Sequence, residues 1–129
     1  MNEFYAVVEK ICRQDKRYKP DAYEFVIQGL GFTQKKLKKA THISGVELAG
    51  GLRDFAINQY GALAAKVLAH WGINQTQDFG NIVFNLIEKK LLAKTKEDSL
   101  SDFQEVYDFK LAFSDVLRES VLEGIRQKA

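Results

Sequence analysis

Ser44-Gly45-Val46-Glu47 constrains this chain more than any other stretch, because it says where one helix starts and which face it buries. In such a box the serine hydroxyl accepts from the glutamate amide, the glutamate carboxylate accepts from the serine amide, and Ile43 can staple onto Leu48. Leu48, Ala49, Leu52, Phe55 and Ala56 continue at spacings of three and four, which predicts a helix over about 45–60. Gly61 ends it.

The same periodicity recurs along the chain. Phe4, Tyr5, Val7, Val8, Ile11 and Cys12 predict a first helix that closes near Asp15-Lys16-Arg17. Pro20, the only proline, suits the first position of a second helix, whose apolar stripe is Ala22, Tyr23, Val26 and Leu30. Gly29 and Gly31 are expected to end it, with Thr33 capping a short basic turn, Gln34 to Ala40. A fourth helix carries Leu63, Ala64, Val67, Leu68 and Trp71 and stops at Gly72, with Ile73 packing back on Leu68. Thr76 or Asp78 then caps the most apolar helix, Phe79 to Leu92, whose thin polar stripe of Asp78, Asn81, Asn85, Glu88 and Lys89 implies a central position.

The region after Ala93 reads as a polar loop. Tyr107, Phe109, Leu111 and Phe113 then alternate with Asp108, Lys110 and Ala112, a strand signal, although Ser101 to Gln104 also resembles a helix cap. A short extended segment is expected there. A last helix follows from Phe113 to Ile125. The fold class expected is mainly α: a compact, single-domain multi-helix bundle over 1–129, with room for a short β-hairpin or winged-helix-like element near 92–113.

Composition narrows the classes of function. With 129 residues and 46% hydrophobic content, the chain can build a core without metal or disulfide. Cys12 is the single cysteine and sits in an apolar pattern, which fits a structural thiol in a reducing compartment. The first residues lack the basic start and apolar run of a secretory signal, and no apolar stretch approaches the ~20 residues that span a bilayer. A cytoplasmic protein without membrane attachment is expected. The net charge of +2 conceals a division: nine Lys/Arg against three Asp/Glu from Lys10 to Lys39, then eight acidic against two basic residues from Glu97 to Glu123.

Arg17-Tyr18 with Ala22-Tyr23, His42-Ile43-Ser44-Gly45 with Glu47-Leu48, His70-Trp71-Gly72, and Asp78-Phe79-Gly80-Asn81-Ile82-Val83-Phe84-Asn85-Leu86 together resemble a family of small bacterial proteins that carries only a locus-tag name. The resemblance runs from about Asp15 to Phe113 and takes in Lys94-Thr95 and Asp98. It departs at Tyr60-Gly61-Ala62-Leu63, where a proline is expected after the glycine, and at Val46, where a polar side chain is expected. It implies a shared fold and no catalytic residues.

No catalytic set, cofactor motif or metal site is expected. Asp78-Phe79-Gly80 spells the magnesium triplet of protein kinases, but the glycine-rich loop, strand lysine and catalytic loop that triplet needs are missing. Cys12, His42 and His70 are the soft ligands, and none stands at metal-ligand spacing. Gly29-Leu30-Gly31 and Gly50-Gly51 follow no strand and lack the lysine of a phosphate loop. Two adjacent glycines inside a helix cost roughly 2 kcal/mol relative to alanine, so close packing by a neighbour is the expected return.

Lys35, Lys36, Lys38 and Lys39, with Arg17 and Lys19, form the one distinctive surface. Such a cluster can neutralise phosphates, although a solvated helix face is the plainer reading. Three readings of function follow. The first is a non-enzymatic intracellular domain that binds a macromolecular partner, expected to be a protein. The second is nucleic-acid binding through the lysine cluster, with a winged-helix variant in which Phe79 to Leu92 reads a groove. That helix places Asp78 and Glu88 beside Lys89 and Lys90, a poor surface for phosphate. The third is an enzyme using His42, Glu47 or Arg53.

Overall fold

The computed structural model describes residues 2–39, 43–93 and 100–114. Within them, α1 spans Asn2–Gln14, α2 Pro20–Leu37, α3 Gly45–Tyr60, α4 Ala64–His70 and α5 Thr76–Glu88. Single 3-10 turns at Gly61–Leu63 and Leu100–Phe103 complete the chain order. Among the described residues there is no strand, and no helix is long and apolar enough to cross a membrane. The chain is a compact helical bundle, as the periodicity predicts.

Local signals set most boundaries. The Ser44 hydroxyl accepts from the Glu47 amide at 3.0 Å, and the Glu47 carboxylate accepts from the Ser44 amide at 3.0 Å. Gly61, at φ +53°, caps the other end of α3. After α4, the Ile73 amide donates to the Leu68 carbonyl at 2.8 Å and the Gly72 amide to Ala69 at 3.0 Å. That pair of bonds is a Schellman ending, with Gly72 left-handed at φ +96° and Ile73 and Leu68 both fully buried.

Three expectations require correction. Gly29 and Gly31 do not end α2, which runs to Leu37. Gly29 lies where α3 crosses, and a Cβ there would fall 2.3 Å from Leu52 Cδ2. The glycine is a packing surface, not a stop. Thr33 caps nothing; it is buried mid-helix, and its hydroxyl donates to the Gly29 carbonyl at 2.7 Å. Neither Thr76 nor Asp78 is the N-cap of α5. Gln75 holds that position, and Asp78 Oδ2 accepts from the Gln75 amide at 3.1 Å and the Asn74 amide at 2.8 Å.

The extended segment is absent as well, because residues 109–114 are helical. Asp108 starts them: its side chain accepts from the Leu111 amide at 3.1 Å and its carbonyl from the Ala112 amide at 2.8 Å. Phe109 and Phe113, one turn apart, meet at 5.0 Å between ring centres, whereas Leu111 is 69% exposed. The alternation was fortuitous, and the winged-helix topology that relied on it goes with it. The remainder of the final helix, Lys94-Thr95, Asp98 and His42 lie outside the described residues.

One core joins every helix. Val8 and Ile11 of α1 share it with Tyr23 and Val26 of α2, Leu52 and Phe55 of α3, Leu68 of α4, and Phe79, Ile82 and Leu86 of α5. The Phe103 side chain fills the space left by Gly80 and Gly45, and Thr76 fixes that segment by donating to the Phe103 carbonyl at 2.6 Å and accepting from the Val106 amide at 3.2 Å. Asn81 and Asn85 face the α1–α2 loop. Asn81 donates to the Tyr18 hydroxyl at 2.8 Å, and Asn85 to Asp15 at 2.9 Å and the Tyr23 hydroxyl at 3.0 Å.

Candidate functional site

The six basic residues singled out from the sequence divide into two groups. Lys19 and Lys35 stand at opposite ends of α2, about 24 Å apart at the helical rise. At the near end, Arg17 grips Asp15 through two bonds of 2.9 and 2.7 Å, and Lys19 Nζ donates to His70 Nε2 at 3.2 Å. At the far end, Lys36 pairs with Asp54 and Lys39 pairs with Glu47 at 2.8 Å. Lys35 and Lys38 are exposed and have no ion pair among the described residues. Two charges of the six therefore remain uncommitted.

Of the three residues weighed for an enzyme, His42 lies outside the described residues, and Glu47 and Arg53 each have other partners. Glu47 holds the capping box and Lys39, which together keep its carboxyl below the ordinary range, with the Lys39 hydrogen bond the larger cause. Arg53 donates to Asp54 at 3.0 Å, about 120° around α3 from Glu47. The Cys12 thiol donates to the Tyr18 carbonyl at 3.6 Å, and burial raises its pKa, with Asp15 and Glu9 adding to the rise. That is the opposite of what a nucleophile needs. Among the described residues no three His, Cys, Asp or Glu side chains are grouped to hold a metal.

A different feature emerges where α2 meets the ends of α3 and α4. Asp21, Glu24 and Gln28 lie along one face of α2 at spacings of three and four, and beside them stand Phe25, Tyr60 and Trp71. Together they line an open recess of about 210 Å³. Its rings are interlocked: Tyr60 meets Trp71 edge to face at 5.8 Å, and Phe25 lies 5.7 Å from Trp71 and 6.5 Å from Tyr60. Phe25 is buried and forms the floor; Tyr60 and Trp71 are half-buried.

The carboxylates of this recess have no cationic partner among the described residues. Glu24 accepts from the Tyr5 hydroxyl at 3.1 Å and from Gln28 at 3.4 Å, both on Oε1, so Oε2 is left for another donor. Asp21 is exposed and has no ion pair among the described residues. Burial first, then the charges of Asp21 and Glu24, raise the Tyr60 pKa, which places both carboxylates within electrostatic reach of that ring. A concave surface with two accepting carboxylates beside aromatic rings has the chemistry to accept a cation.

The sequence reading missed this group because Tyr60 and Trp71 reach it from other helices. Asp21 and Glu24 carried the only local signal, as two of the three acids between Lys10 and Lys39.

A second and larger cavity, about 530 Å³, opens between the start of α5 and residues 105–110. Two of the polar residues that line it are engaged in holding the fold. Thr76 holds Phe103 and Val106, and the Tyr107 hydroxyl donates to the Ala49 carbonyl at 2.7 Å. No family model, curated protein or solved structure matches the chain.

Proposed function

We propose that this protein is a non-enzymatic domain that binds a protein partner, and that a basic segment of the partner enters the recess over Tyr60 and Trp71. One observation carries the reading: Asp21 and Glu24 flank an aromatic hollow without a cation of their own chain among the described residues. Three other carboxylates do have cations of their own chain. Asp15 holds Arg17, Glu47 holds Lys39, and Asp54 holds Lys36 and Arg53. At about 210 Å³ the recess falls below the ~300–1,000 Å³ of pockets that enclose whole small ligands, which favours one side-chain head group.

Binding to nucleic acid is the second reading, and the placement of the lysines limits it. Lys35 and Lys38 alone would release counterions from about two phosphates, a salt slope near −1.8 on logarithmic axes. That supports weak, sequence-independent contact only.

The test is comparative capture from cells. Proteins retained by the wild-type chain and lost to the Asp21→Asn/Glu24→Gln double variant support the reading. Identical retention by both, or retention that disappears only on nuclease treatment, removes it.

A further inference from the structure

We infer that the recess is selective for guanidinium, so that the group it takes from a partner is an arginine side chain. The inference rests on the partner-binding reading above and goes further by naming the ligand chemistry. Three features of the recess discriminate among cations.

The first is the number of acceptors. Asp21, Glu24 and Gln28 line one side of the hollow in a row along α2, about one helical turn between successive residues; Glu24 Oε2 is unused, and the Gln28 amide, which donates to Glu24 Oε1 at 3.4 Å, also carries a carbonyl acceptor. A guanidinium presents five N–H donors in a rigid plane and can serve several acceptors together. An ammonium has three donors on one atom, and satisfying separated acceptors from a single point is geometrically poorer. A quaternary ammonium has none and would give no donor to Asp21 or to Glu24 Oε2.

The second is the ring arrangement. Phe25, Tyr60 and Trp71 are mutually tilted or perpendicular, at 36°, 50° and 81° between planes. They present a half-buried corner beside the row of acceptors, not an enclosing box. Guanidinium is planar and weakly hydrated and stacks against a ring while its edge hydrogen-bonds, whereas a quaternary ammonium gains most from rings on several sides. The third is depth: the recess is open and small, so an entering head group remains partly in water. A strongly hydrated ammonium gains little from such a site, because it gives up water for few new contacts.

Trp71 is the only tryptophan in the chain, so its fluorescence reports occupancy directly. The experiment titrates the full chain with N-acetyl-arginine amide, N-acetyl-lysine amide and tetramethylammonium at constant ionic strength. The expected result is a saturable change in Trp71 emission with arginine amide at millimolar concentration, at least threefold weaker binding of lysine amide, and no saturation with tetramethylammonium. Asp21→Asn and Glu24→Gln, each conservative and on the outer face of α2, should weaken arginine amide at least threefold singly and tenfold together. Circular dichroism confirms that each variant retains its helices.

Lysine amide or tetramethylammonium binding as tightly as arginine amide overturns guanidinium selectivity and leaves the cation-binding reading standing. No response to any of the three removes both. An arginine response unchanged in the double variant also removes both, since the binding would then lie elsewhere.

Discussion

Lys90 sits in a conformation that L-residues avoid, at φ +62°, and it does so to end α5. The Leu91 amide donates to the Leu86 carbonyl and the Lys90 amide to Ile87, both at 2.9 Å, the same Schellman pair that Gly72 makes after α4. Lys38 repeats it after α2, at φ +56°, with the Lys39 amide donating to Gln34 at 2.9 Å. Glycine normally holds this position, because a Cβ in the left-handed region costs about 1–2 kcal/mol. Two lysines that look in the sequence like surface charge are therefore also helix terminators, and Lys38 belongs to the cluster first read as a phosphate surface. Replacing Lys90 by glycine relieves the strain and gives back about 0.5–1 kcal/mol in unfolded-chain entropy. Lys90→Gly should therefore raise stability by about 0.5–1 kcal/mol, read as an increased urea midpoint at unchanged slope. A lowered midpoint would mean that the lysine side chain, not the backbone turn, carries this position.

Between elements, the α2–α3 crossing is the closest contact, and it separates two glycines that look identical in the sequence. A Cβ on Gly51 would meet Thr33 Oγ1 at 1.9 Å, whereas a Cβ on Gly50 would have nothing within 4 Å. Close packing thus accounts for Gly51 and not for its neighbour. Gly50→Ala should stabilise by up to about 1 kcal/mol through helix propensity. Gly51→Ala gains the same propensity but drives a methyl into a buried threonine that is bonded to Gly29, and overpacking of this kind costs about 1–3 kcal/mol. It should be net destabilising, and thermal melts of the two variants should shift in opposite directions. The contrast also marks what a single sequence makes legible. The capping box at Ser44 and the stop at Gly72 were readable because donor, acceptor and turn residue lie within a few positions of one another. Gly29 was misread as a stop, and the partners of the polar stripe residues Asn81 and Asn85 could not be read, because each is decided by a segment distant in the chain. The recess fails to show for the same reason: Asp21 and Glu24 look like an ordinary acidic first turn until Tyr60 and Trp71 arrive beside them.

Across the whole molecule, the α1–α2 loop, α2 and α5 converge on one polar network, and that network makes stability depend on pH. Arg17, Asp15, Tyr18, Tyr23, Asp78, Asn81 and Asn85 tie the α1–α2 loop to α5; the Tyr18 hydroxyl donates to Asp78 at 2.6 Å, and Arg17 lies 5.2 Å over the Tyr18 ring. The Arg17 hydrogen bond, helped by Asn85, holds the Asp15 carboxyl well below the usual carboxylate range even against partial burial. A depressed folded-state pKa contributes stability that is complete above the unfolded value, near 3.9, and is lost as pH falls below it. Burial acts in the other direction at alkaline pH. It pushes Tyr23 up to about 12 and raises Tyr18 and Tyr107 further still, so their protonated forms favour the fold below about pH 10, and that contribution fades above it. The stability curve should be flat between about pH 5 and 9 and fall at both edges. Asp15→Asn separates the two. Arg17 is 58% exposed and its attraction is screened, so the substitution should cost only about 1–2 kcal/mol at pH 7. That deficit should shrink as pH is lowered from 5 to 2.5, because the unfolded wild-type chain then takes up a proton at Asp15 while the folded chain does not, and the alkaline edge, set chiefly by burial of the tyrosines, should move little. Urea midpoints of both proteins across that range decide the matter, and a deficit that is constant with pH would place the acid sensitivity on other carboxylates.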